Sequence, residues 1–109
     1  MPFDENLAAR VRSEFARKKN VTEKKMFGGV GWLLSGNMCV GVWKKWLIAR
    51  IGDEYAEALR DPNVREFDIT GKAMKGWVMV EPKGVATDEE LRDWVKRCVA
   101  FVRTLPAKE

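Results

Sequence analysis

The residue types that do chemistry are scarce in this chain, and those present stand at unhelpful spacings. The 109 residues include no histidine, the side chain that titrates near neutral pH and the commonest ligand of transition metals. Cys39 and Cys98 are the only two cysteines, too few and too far apart for a disulfide framework or a zinc ribbon. An enzyme built from these residues would depend on carboxylates, lysine, cysteine or a bound cofactor. No spacing in the chain signals a nucleophile with its base or an acid with its partner. The expectation is a non-enzymatic protein with no cofactor and no metal.

Two glycine-bearing tracts, Phe27-Gly28-Gly29 and Met74-Lys75-Gly76, are the places where a backbone could approach a phosphate closely. That would make a small-ligand site, but neither GxGxxG nor GxxxxGK[ST] occurs. A bulge or a crossing of strands uses paired glycines equally well. The charge is also local. Between Arg10 and Lys25 seven bases face two acids, whereas from Gly52 onward ten bases face twelve acids. Arg17, Lys18, Lys19, Lys24 and Lys25 form a candidate anion-contact patch that would give weak, salt-dependent nucleic-acid binding. No helix-turn-helix, RNP or zinc-finger pattern accompanies it. Cations at the negative end of a helix dipole produce the same cluster without any ligand.

The elements that must position these residues follow from periodicity. A length of 109 residues with 46% apolar and 33% charged residues suits one globular domain, taken here as residues 1–109. No apolar run is long enough to span a bilayer, and the first residues lack the pattern of a signal peptide, so the expected place is the cytoplasm, without membrane contact. Asp4 caps a first helix with Leu7, Ala8, Val11 and Phe15 at helical spacing, and Asn20 is its C-cap. Val21–Met26 extends as a short strand. Val30–Ser35, a Gly36-Asn37 turn, Met38–Trp43, a Lys44-Lys45 connection and Trp46–Ile51 then make an antiparallel meander. Lys-Lys suits a primed turn poorly, so that connection is expected to be longer or bulged.

Asp53 caps a short second helix through Ala56 and Leu59. Val64–Ile69, a Thr70-Gly71-Lys72 turn and Trp77–Glu81 follow, with Val78 and Val80 on one side and Trp77 and Met79 on the other. Thr87 with Glu90 forms a capping box, and the stripe Leu91, Trp94, Val95, Cys98, Phe101, Val102 and Leu105 makes the last helix. Cys98 is then a core thiol. The pattern predicts an α+β fold, a two-layer antiparallel sheet with helices in the order α-β-β-β-α-β-β-α.

Strand parity sharpens this. With Trp43 opposite Trp46, Gly31, Leu33, Met38, Val40, Val42, Leu47, Ala49 and Ile51 share one face. Val30, Trp32, Leu34, Cys39, Gly41, Trp43, Trp46, Ile48 and Arg50 share the other. Both faces are apolar, so both need cover: helices on one side and something else on the second.

Met26-Phe27-Gly28-Gly29, the hairpin behind it, the tract Gly71-Lys72-Ala73-Met74-Lys75-Gly76-Trp77 and the helix start Ala86-Thr87-Asp88-Glu89-Glu90-Leu91 resemble the TfoX N-terminal domain family over roughly residues 4 to 105. The resemblance implies a stand-alone single-domain member with a fold similar to type III secretion chaperones. It makes Met26, Phe27, Gly28, Gly29, Gly71, Met74, Lys75 and Gly76 signature positions. The family takes its name from a regulator of natural competence genes, thought to act with a transcription activator rather than by reading DNA sequence. The leading expectation is therefore a regulatory or protein-interaction module with a protein partner or a second copy on Trp32, Trp43, Trp46 and Ile48. Tryptophans packed in the core, weak nucleic-acid association and small-ligand binding stand as the alternatives.

Overall fold

In a computed structural model of the chain, residues 3–26, 28–68 and 74–107 are described. Helix α1 (Glu5–Phe15) starts where Asp4 accepts hydrogen bonds from the backbone N–H groups of Asn6 and Leu7, at 2.9 and 3.1 Å. It buries the predicted stripe, Leu7, Ala8, Val11 and Phe15. The strands follow as β1 (Val21–Met26), β2 (Gly29–Leu34), β3 (Asn37–Trp43) and β4 (Trp46–Arg50). A 3-10 turn over Gly52–Glu54 leads into the short α2 (Tyr55–Ala58), then β5 (Val64–Glu66), β6 (Trp77–Val80), a second 3-10 turn over Pro82–Val85 and α3 (Asp88–Val102).

All six strands join one antiparallel sheet in the order β1-β2-β3-β4-β6-β5. This is the expected α+β arrangement, except that four strands rather than three separate α1 from α2, because Val21–Met26 pairs along its whole length with β2 as an edge strand. Helix α3 carries the expected capping box, lies across β3 and β4, and packs against α1. The core fills the space between that helix pair and the sheet: Val11 and Phe15 from α1, Leu91, Val95, Cys98 and Val102 from α3, and Val40, Val42, Leu47 and Ala49 from the strands.

Several local expectations need correction. Asn20 does not cap α1; Ala16 does, and Asn20 stands at φ 65° before β1, where its carbonyl accepts from Ser35 N–H. Asp53 makes no capping hydrogen bond, because the chain enters α2 through the 3-10 turn. The β2–β3 turn is Ser35-Gly36, both at positive φ (51° and 82°), as in a type I′ turn. Asn37 is instead paired with Leu34, and its side chain donates to the Pro106 carbonyl at 2.8 Å. Lys44-Lys45 is a tight two-residue turn between paired Trp43 and Trp46. Lys44 takes the unfavourable φ of 53°, and its carbonyl accepts from Asp4 N–H at 2.7 Å, tying the turn to the start of α1. Strand β5 ends at Glu66; the predicted Thr70-Gly71-Lys72 turn lies outside the described residues.

The largest correction concerns parity. The register of β2 with β3 shifts between Trp32 and Leu33: Leu33 pairs with Met38 but Trp32 pairs with Val40, leaving Cys39 as an extra residue on β3. One extra residue flips every later side chain to the opposite face. Val30, Trp32 and Leu34 therefore face the helices with Val40 and Val42. Gly31, Leu33 and Met38 lie on the outer face with Gly41, Trp43, Trp46, Ile48 and Arg50.

Candidate functional site: an apolar trough on the outer face of the sheet

The face turned away from α1 and α3 is concave and apolar. Its floor runs over Gly29 and Gly41, which offer no side chain, and Ile48. Met26 and Trp43 stand on the walls at one side, with Phe67, Met74 and Trp77 on the other. Together they enclose a trough of about 620 Å³. Phe67 and Trp77 rest on each other with ring centroids 5.6 Å apart. The Met38 thioether lies across the floor, so close to Gly31 and Gly41 that a Cβ at either position would overlap it.

Cations frame the trough. Lys44 Nζ lies 4.7 Å from the centre of the Trp43 ring, and Lys45 Nζ 6.0 Å from that of Trp46. The Arg65 guanidinium lies 5.8 Å from the centre of the same ring. Arg50 lies between the rings of Trp77 and Phe101, at 5.2 and 5.8 Å, and donates to the Met38 carbonyl at 3.3 Å. Such contacts cover part of the indole faces while leaving the charges wet.

The structure separates the predicted surface tryptophans. Trp43 and Trp46 are half-buried on the outer face, and Ile48, 4% exposed, lies in the floor of the trough. Trp32 is 1% exposed and belongs to the core, stacked on Phe15 with centroids 6.4 Å apart, so it cannot meet a partner. Its indole N–H donates to Glu23 at 3.2 Å, and Glu23 is held by the Arg12 guanidinium through contacts of 2.7 and 2.8 Å. That bidentate hydrogen bond holds the Glu23 carboxyl below its ordinary range, with the indole adding to the effect.

The basic patch is divided. Arg10 and Arg12 are engaged by Asp88 and Glu23. Arg17, Lys18 and Lys19 lie in the link from α1 to β1. By register Lys24 shares the outer face with Gly31, whereas Lys25 points to the helix side with Val30. The five candidate cations thus do not make one surface. Both thiols are buried; desolvation pushes Cys39 up to about 12 and Cys98 well above its ordinary value, so neither is a nucleophile at neutral pH. No helix among the described residues is long and apolar enough to cross a membrane.

Met26, Gly28, Gly29, Met74 and Gly76 meet at or beside the trough for definite reasons. Gly28 turns at φ 76° with nothing among the described residues within 4 Å of a Cβ placed there, and Gly29 passes so close to the Val42 carbonyl that a Cβ would collide with backbone. Gly76, at φ 90°, offers its carbonyl to Ile51 and Gly52 N–H at 2.9 and 3.0 Å. Residues 13–102 match the TfoX N-terminal domain. The chain belongs to the TfoX N-terminal domain family. No curated protein matches it. Within this TfoX-type domain the signature residues thus shape the β1–β2 corner and the β5–β6 connection at the two sides of the trough, and Lys75 is exposed. Phe27 and Gly71 lie outside the described residues.

Sequence reasoning did not single out Met38, Phe67 or Trp77 as part of a site. The alternation of Trp77 and Met79 against Val78 and Val80 held a usable signal, since two apolar faces on one more strand extend the same surface.

Proposed function

We propose that this TfoX-type domain is a non-enzymatic regulatory module of the cytoplasm that works by binding protein, either another chain or a second copy, through the outer face of its sheet. The observation that supports this reading is the apolar trough of about 620 Å³ on the side opposite the helices. Its lining of thioethers, indoles and aliphatic groups neither gives nor takes protons. It offers apolar surface whose removal from water stabilises association. Methionine suits such a surface because its flexible, polarisable side chain adapts to partners of different shape.

Sedimentation of the purified protein, joined to capture from an extract of its native cell, tests the reading. Met74 is 39% exposed on the wall of the trough, so Met74→Glu should leave the fold intact. The wild type is expected to self-associate or retain a discrete protein, and the folded variant to do neither. A wild type that stays monomeric and retains nothing contradicts the reading, as does a folded Met74→Glu that associates as before.

A further inference from the structure

We infer that the trough receives an acidic, amphipathic helical segment of another protein rather than a second copy of this chain, an inference that rests on the outer-face reading above. The charge around the trough decides it. At outer-facing strand positions the charged residues are Lys24, Arg50 and Arg65, and the β3–β4 turn adds Lys44 and Lys45. No described strand position on that face carries a carboxylate: by register, Glu23 and Glu66 point to the helix side opposite Trp32 and Val78. Glu81, just beyond β6, is engaged by Arg65 at 3.5 Å. Among the described residues no carboxylate lies within salt-bridge reach of Lys24, Lys44, Lys45 or Arg50.

A symmetric contact between two copies presents the same patch to itself. Here it would set cations against cations, with no carboxylate at any described outer-face position of the six strands to answer them, and like charges brought together oppose association. An acidic segment meets the rim favourably and gains from the same field as it approaches.

The shape fits a helix. From Met26 on β1 to Trp77 on β6 the lining crosses four inter-strand steps, about 19 Å. About thirteen helical residues cover that length and present apolar anchors at i, i+3 or i+4, and i+7. The Met38 thioether, lying over Gly31 and Gly41, can shift to admit them.

Two labelled peptides of about 18 residues test this, sharing one leucine and tryptophan stripe and differing only in flanks that are all Glu or all Lys. Fluorescence anisotropy with the full chain is expected to show the Glu-flanked peptide bound at least roughly tenfold more tightly at low salt, with the gap closing as salt rises from about 50 to about 500 mM. Lys44→Glu with Lys45→Glu is expected to abolish or reverse that preference, Lys45→Gln to weaken it, and Met74→Glu to weaken both peptides. Equal binding, or a preference for the Lys flanks lost in Met74→Glu, overturns the acidic partner while leaving a protein-binding outer face in place. Preference unchanged in the charge-reversed variant puts the site elsewhere and overturns the inference. So does a dimer broken by Met74→Glu, or decanoate altering the tryptophan emission saturably while neither peptide binds. Binding of neither peptide, with no response to decanoate, overturns the inference too, and the outer-face reading then stands or falls by the capture experiment.

Discussion

Glu23 serves two groups at once, the Arg12 guanidinium and the indole N–H of the buried Trp32. These two contacts should separate under mutation. The ion pair is half open to water, with side-chain exposures of 53% for Arg12 and 36% for Glu23, so it contributes no more than about 1 kcal/mol. An indole N–H left without an acceptor costs about 1 to 3 kcal/mol. Glu23→Ala is therefore expected to lower stability by about 2 kcal/mol, whereas Glu23→Gln, which keeps an acceptor oxygen, should cost less than half as much. The pH dependence has a definite sign. The folded state holds the Glu23 carboxyl below its ordinary value of 4.5, so its contribution is complete above that value and is lost as pH falls through the lowered one. Urea unfolding at about pH 7 and about pH 3 should show a smaller acid-induced loss in Glu23→Gln than in the wild type. Equal costs for the alanine and glutamine variants at neutral pH would contradict the role given to the indole.

At the scale of elements, the two glycines of the signature tract should behave differently although they are neighbours. Gly29 passes against the Val42 carbonyl, which is strand backbone and cannot turn aside. Gly29→Ala is expected to cost about 3 kcal/mol or more, because overpacking here displaces β2 from β3. Gly28 meets no described atom within 4 Å of a Cβ placed there and stands at positive φ, so Gly28→Ala should cost roughly 1 to 2 kcal/mol. Thermal unfolding of both variants checks the order; a milder effect at Gly29 than at Gly28 would show that the two strands can separate there. The same corner shows how far elements could be read in the chain. Helix α3 was legible at its start and along its buried face, because the Thr87–Glu90 box and the apolar stripe agree, but it ends at Val102, before the Leu105 that the stripe included. The pairing of Trp43 with Trp46 entered only as a condition of the parity, and the tight Lys44-Lys45 turn that makes it was not legible, because Lys44 takes a positive φ that lysine disfavours. The bulge at Cys39 was not legible either, because nothing in Met38-Cys39-Val40 marks an extra residue and both neighbours are apolar on either face. That single residue moved Trp32 from the predicted surface to the core and brought Met38 to the trough. The trough's far wall was legible only in part: the parity of Trp77 was visible, but the approach of Phe67 and Met74 depends on a loop path that periodicity does not encode.

Over the whole molecule, the sheet is a partition. One side carries α1 and α3 and a closed core; the other carries the trough, its methionines and its cations. The need for a second cover was readable from two apolar faces, and the structure gives that need a shape. If the outer face is where this TfoX-type domain meets its partner, proximity should depend on the side of the sheet from which it is probed. A photoreactive benzoyl-phenylalanine in place of Trp46, on the outer face, can be compared in the native cell with one in place of Lys96, exposed on α3. The account predicts a discrete cross-linked protein from position 46 and none of that size from position 96. A product from position 96 alone, with position 46 silent in a folded chain, would contradict it.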